Sequence, residues 1–201
     1  MTRTLNARSS PALIVHSLRY CIRSLILYLY CASAVQIFNS VLFSVKCHKG
    51  EKSMKLMLVC TSGGHFSTMR RLESFWSNHE RIWVTDWKKD TKLLENQEKV
   101  HWLPYQAPRD VWALWRNIPQ VFKIVYLEQP DVVISTGASI AIGFALAAKL
   151  LGKRFVYVES ISRSEELSLS GKLVYPLSDE FYVQWPNLCH KYPKAIFKGY
   201  A

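Results

Sequence analysis

Residues 60–69 read CTSGGHFSTM, directly after the apolar run KLMLV. Two adjacent glycines, Gly63 and Gly64, let a backbone come close to a ligand, and the apolar residues that follow recur at helical spacing. Exposed N–H groups at such a helix start favour an anion, for example a diphosphate. His65 stands where an imidazole can donate to that anion or take a proton from an attacking hydroxyl. A plain strand-to-helix turn that needs glycine geometry fits the same residues. The spacing is not G-x-G-x-x-G, which disfavours a dinucleotide loop even though Asp86 follows at a suggestive distance. Neither G-x-x-x-x-G-K-[ST], G-x-S-x-G nor D-x-D occurs.

Two more polar stretches follow apolar runs, Gly137-Ala138-Ser139 and Glu159 to Arg163. In an open α/β sheet, ligands gather beyond the carboxyl ends of the strands, so three such loops together say more than any one. Glu159 and Arg163 fit a general base with a phosphate clamp, or a structural ion pair that fixes the loop. Gln184 and Trp185, ahead of Pro186 and CHKYPK, fit a partner-binding edge as well as a ligand contact.

The elements that must position these residues alternate strand and helix, the pattern of a parallel sheet flanked by helices. Strands are expected at Leu56 to Cys60, Arg81 to Asp86, Val100 to Pro104, Pro130 to Thr136, Arg154 to Glu159 and Glu180 to Trp185. Phe66, Met69, Leu72 and Phe75 or Trp76 mark a helix after the first strand. Asp110 is expected to cap a longer helix whose buried face is Val111, Leu114, Trp115, Ile118, Val121 and Val125, kinked at Pro119. Ile140 to Leu151 is apolar nearly all round, hence buried on most sides, and Gly152 stops it. The fold class expected is α/β, a Rossmann-like parallel sheet with flanking helices.

The chain has 201 residues, 49% of them hydrophobic and 20% charged, which is ample for one domain with a core. Of the net charge of +11, residues 1–53 supply +6, from seven Lys/Arg against Glu51. A pI near 9.5 points to an anionic partner without pointing to nucleic acid. Five cysteines lack C-x-x-C or Cys/His spacing, which argues against a disulfide framework and structural zinc and favours a reducing compartment. No metal site and no cofactor are expected.

Leu25 to Val45 carries no charge over 21 residues, enough for a single membrane helix with Tyr28, Tyr30 and Lys46 as interfacial anchors. Met54, just ahead of KLMLVC, is an alternative start, which would make residues 1–53 a leader outside the native chain. The domain division expected is a basic, hydrophobic leader at 1–53 and an α/β unit at 54–201.

CTSGGH, PDVVISTGAS, YVESISRSEELSLSGKLVYPLSDEFYVQWP and KYPKAIFKG together resemble the membrane-associated accessory subunit of two-part UDP-sugar glycosyltransferases. Eukaryotic members serve the second N-acetylglucosamine transfer of dolichol-linked oligosaccharide assembly; bacterial PssD and CpsF types serve exopolysaccharide and capsule assembly. The resemblance covers Met54 to Ala201 and implies the N-terminal half of a GT-B enzyme such as MurG. It further implies that a small catalytic partner supplies most of the UDP-sugar site, and that this chain alone is nearly inactive. Ser62, Gly63, Gly64 and His65 would then face a lipid-linked diphosphate acceptor. Gly137 and Ser139 would form a second glycine loop, and Glu159, Ser160 and Arg163 the third wall of the cleft. His65 and Glu159 are the candidate bases of a metal-independent transfer, while Gln184, Trp185 and Tyr192 would lie toward the partner. The expected place is the cytoplasmic face of a membrane. A purely scaffolding anchor without catalytic residues is the alternative, and a nucleic-acid partner is not expected.

Overall fold

In the computed structural model, residues 53–104, 106 and 111–201 are described; the expected membrane helix at 25–45 and the Asp110 cap lie outside them. The order is β1 (Lys55–Val59), α1 (Gly64–Arg71), α2 (Glu73–Trp76), β2 (Glu80–Asp86), a 3-10 turn (Lys92–Leu94), β3 (Lys99–Leu103), α3 (Val111–Glu128) and β4 (Val132–Ser135). It continues through α4 (Ile140–Leu150), β5 (Arg154–Val158), α5 (Leu169–Val174), β6 (Glu180–Val183), α6 (Asn187–Lys191) and β7 (Ala195–Phe197). Among the described residues all seven strands are parallel, in the order β3-β2-β1-β4-β5-β6-β7.

The strands read as unbroken apolar runs because helices cover both faces of the sheet. Alternate residues serve different cores. Met57, Val59, Val133, Phe155 and Tyr157 face α3 and α4, while Leu56, Leu58, Trp83, Ile134 and Val156 pack with Phe66, Met69 and Trp76 of α1 and α2. Gly143 of α4 lets Val121 of α3 close to 3.6 Å from where a β-carbon would stand.

Several expectations shift. The first helix begins at Gly64, so Gly64 and His65 belong to its opening turn, and it breaks at Leu72 (φ −85°, ψ 13°) before α2. On α3 the buried side runs through Ala113, Asn117, Val121, Ile124, Val125 and Glu128, whereas Trp115 is 64% exposed. Small Ala113 and Asn117 let the helix lie close, and the bulkier indole turns outward. The helix is continuous through Pro119. Gly152 (φ +66°) ends α4 as expected. The expected strands at 130–136 and 180–185 close earlier, at Ser135 and Val183, which releases Thr136 and Gln184 to bond through their side chains. β7 has only three residues, too short to show a period in sequence.

Candidate active site at the carboxyl edge of the sheet

β1, β4 and β5 are neighbours in the sheet, so the loops after them open on one edge. Two hydrogen bonds join the first two loops. Thr136 Oγ1 donates to the His65 carbonyl (2.8 Å), and His65 Nδ1 lies 2.7 Å from the Thr136 carbonyl. A carbonyl only accepts, so Nδ1 carries the proton and Nε2 of the neutral ring presents a lone pair. Gly137 (φ +122°) packs on that ring, where a methyl group would stand 2.6 Å from His65 Cε1. Ala138 follows at φ +68°, a conformation a residue with a β-carbon rarely adopts, so the second loop holds backbone strain beside the imidazole.

The contact continues into the third loop. The methyl at Gly137 would also lie 3.3 Å from Tyr157 Oη, and that hydroxyl is 3.5 Å from Ser168 Oγ. Burial, helped by the neighbouring Glu159 charge, pushes the Tyr157 phenol well above its usual range, so it stays protonated. Ser168 N and Oγ donate to Glu159 Oε2 at 2.9 and 3.0 Å, and Ser160 N donates to Oε1 at 2.9 Å. Ser168 also caps α5 by accepting from Gly171 N at 2.9 Å. Gly171 is required there, because a methyl would collide with Glu159 Oε2.

The first loop is held on its other side by β2. Asp86, at the strand end and 3% exposed, accepts from Ser62 N (2.6 Å) and Ser62 Oγ (2.8 Å). Asp90 Oδ2 accepts from Gly63 N at 2.6 Å. Gly63 sits at φ +85°, which explains its identity, whereas Gly64 is helical and has open space where a side chain would go. Cys60 beneath the loop is fully buried and its thiol is pushed upward by desolvation, which makes it inert.

The structure thus brings Ser62, Gly63, Gly64, His65, Gly137, Ser139, Glu159 and Ser160 to one edge, with Arg163 exposed on the third loop. Glu159, an expected base, is a residue 1% exposed whose carboxylate is bound by three donors. No ion pair joins Glu159 to Arg163 among the described residues. Gln184, expected at a partner-facing edge, is buried instead; Nε2 donates to the Glu159 carbonyl (2.9 Å) and Oε1 accepts from Ala201 N (2.8 Å). Its amide satisfies backbone groups inside the fold. Trp185 and Tyr192 keep partial exposure while donating to the Ile161 carbonyl (2.6 Å) and Glu166 Oε2 (2.7 Å). Sequence reasoning passed over Thr136, Ser168 and Asp90, and took Asp86 only for a dinucleotide signal; a carboxylate closing β2 beside a glycine loop was the available clue.

The sequence pattern described as oligosaccharide biosynthesis protein Alg14 like matches residues 56–201. The UDP-N-acetylglucosamine transferase subunit ALG14 of Mus musculus is 33% identical over 184 residues, covering 74% of this chain and 83% of that protein. Its Homo sapiens counterpart is 32% identical over 179 residues, with the same coverage. Among solved structures, MurG of Acinetobacter baumannii aligns with a TM-score of 0.58 at 14% identity, over 74% of this chain and 46% of that enzyme. UDP-GlcNAc 2-epimerase of Methanocaldococcus jannaschii gives 0.59 at 18%, over 73% and 47%. The fold therefore matches a stretch of roughly half the length of these enzymes. With a family pattern spanning its whole α/β unit, the chain belongs to the Alg14-like family of oligosaccharide biosynthesis proteins.

Proposed function

We propose that this chain is the non-autonomous, acceptor-binding subunit of a heteromeric UDP-GlcNAc transferase, whose nucleotide-binding half is a separate catalytic partner. The observation that carries the reading is the cluster of three loops at the carboxyl edge of the sheet, the first two bonded through His65 and Thr136 and the third packed against Gly137 through Tyr157. A lipid-diphosphate-linked sugar enters that cleft, its anion taken by the N–H groups that open α1. Nε2 of His65 accepts the proton of the attacking hydroxyl as the bond to the sugar's anomeric carbon forms and the nucleoside diphosphate leaves. Glu159 holds the third loop rather than acting as a base, and Ser160 and Arg163 line the phosphate side. The partner docks toward Trp185 and Tyr192.

Membrane association is part of the proposal. The outward face of α3 presents Trp112 (85% exposed), Trp115, Arg116, Lys123, Tyr126 and Leu127, and residues 111–127 contain no acid. Aromatic and basic residues on one face suit a helix lying in an anionic lipid interface. Among the described residues no helix is long and apolar enough to cross a membrane; α3 packs on the sheet by its buried side and would meet lipid by its outward face. We place that contact with lipid on the cytoplasmic side.

Gly64→Ala tests the loop. Nothing in the fold needs glycine there, and alanine is favoured in a helix by up to about 1 kcal/mol, so the melting temperature should hold or rise. Transfer by the assembled complex should fall by about tenfold or more, because a methyl blocks the approach of a ligand to the backbone. Unchanged transfer by a folded Gly64→Ala complex would reduce the loop to a turn.

A further inference from the structure

Resting on the acceptor-cleft reading, we infer that Asp86 and Asp90 are positioning residues that decide which N–H groups the acceptor's anion can use. A glycine loop before a helix ordinarily offers its successive backbone donors to a phosphate. Here the first two are already taken by protein carboxylates: Ser62 N by Asp86 Oδ1 and Gly63 N by Asp90 Oδ2, each at 2.6 Å. Ser62 Oγ is also spent on Asp86 Oδ2. The anion's seat is therefore moved to the next amides along the chain, those of Gly64, His65 and Phe66, which have no partner among the described residues. His65 belongs to that set, so the anion and Nε2 are brought to the same turn of backbone.

The carboxylates are themselves built in. Thr91, fully buried, donates from Oγ1 to the Asp86 carbonyl (2.7 Å) and accepts from Lys88 N (3.0 Å), which closes the segment 86–91 on itself. Lys92 N bonds the Lys88 carbonyl at 2.9 Å and starts the 3-10 turn. Lys88 Nζ lies 3.6 Å from Asp86 Oδ2 and offsets one of the two charges. Asp90 lies nearer the surface, and its charge stands beside the place an anion must occupy. Asp86 thus fixes loop geometry, while Asp90 fixes geometry and also repels.

These roles make opposite predictions for two conservative substitutions. Asp86→Asn turns one acceptor oxygen into a donor, so the Ser62 hydroxyl must reverse its bond and the Ser62 amide loses a charged acceptor; the loop loosens. In the complex with the catalytic partner, kcat should fall by about tenfold while partner binding holds. Hydrogen exchange at the Ser62 amide should quicken without a change in global melting. Asp90→Asn keeps an oxygen for Gly63 N and removes the charge. The KM for a lipid-diphosphate-linked acceptor should then fall by about threefold with kcat nearly unchanged, and less so at high salt. A merely structural Asp90 would raise KM or lower kcat. The inference is overturned if Asp90→Asn raises KM or leaves it unmoved, or if Asp86→Asn turns over at the wild-type rate. Because Asp90 is closer to the surface, its variant keeps the test alive should Asp86→Asn fail to fold. Failure of the acceptor-cleft reading looks different, since the wild-type complex itself would then neither bind nor glycosylate the acceptor.

Discussion

His65 owes its chemical character to neighbours rather than to position in the sequence. The Thr136 carbonyl fixes the proton on Nδ1, and the reciprocal bond from Thr136 Oγ1 fixes the backbone that carries the ring. His65→Ala should lower transfer by about 10² to 10⁴, the range for loss of a general base, with partner binding intact. Wild-type activity in that variant would favour a scaffold without chemistry of its own. Gly137→Ala forces a methyl onto the imidazole and an L-residue to φ +122°. It should cost about 1–3 kcal/mol of stability, read by denaturant unfolding, and misplace the imidazole as well. The glycines and His65 were legible in the sequence because their residue types announce them. The partners Thr136 and Ser168 were not, since hydroxyls of common residues acquire a role only when the fold brings them within bonding distance.

At the scale of elements, the third loop depends on Glu159. Replacing it by glutamine leaves a group that can accept at only one of two oxygens, so among the Ser160 and Ser168 donors at least one is orphaned. That should cost about 1–3 kcal/mol and open residues 160–167 to limited proteolysis. At the opposite edge of the sheet, Glu128 ends α3 and gathers Lys99 (2.7 Å), His101 (2.7 Å) and Lys55 (3.4 Å) from β3 and β1. Burial raises its carboxyl, but the three basic partners together outweigh this and bring it from 4.5 to about 2. A carboxyl lowered in the fold stabilises fully above its unfolded value, and that contribution fades as pH falls from about 4.5 toward 2. Glu128→Gln should flatten the acid side of the melting profile over that interval; an unaltered slope would show the cluster to be inert. The strand sequence was readable from the unbroken apolar runs. The buried side of α3 was not, because Ala113 and Asn117 carry little hydrophobic signal and exposed tryptophans mimic a core stripe.

For the whole molecule, one end of the sheet carries the bonded loops, and the long side helix carries aromatic and basic residues outward. Replacing Trp112 and Trp115 together by serine should reduce transfer to acceptor embedded in anionic vesicles by about tenfold, yet leave transfer in detergent intact. Equal losses in both media would mean that the indoles serve the fold instead. The α/β unit aligns with 46% of the length of MurG. The proposed function assigns the nucleotide half to a partner, so it calls for two chains at one active site. The most direct measurement is transfer from UDP-GlcNAc to a lipid-diphosphate-linked sugar by this chain alone, by its catalytic partner alone, and by the two together. Product should form at a substantial rate only in the mixture; turnover by this chain alone at the rate of the mixture would contradict the divided site.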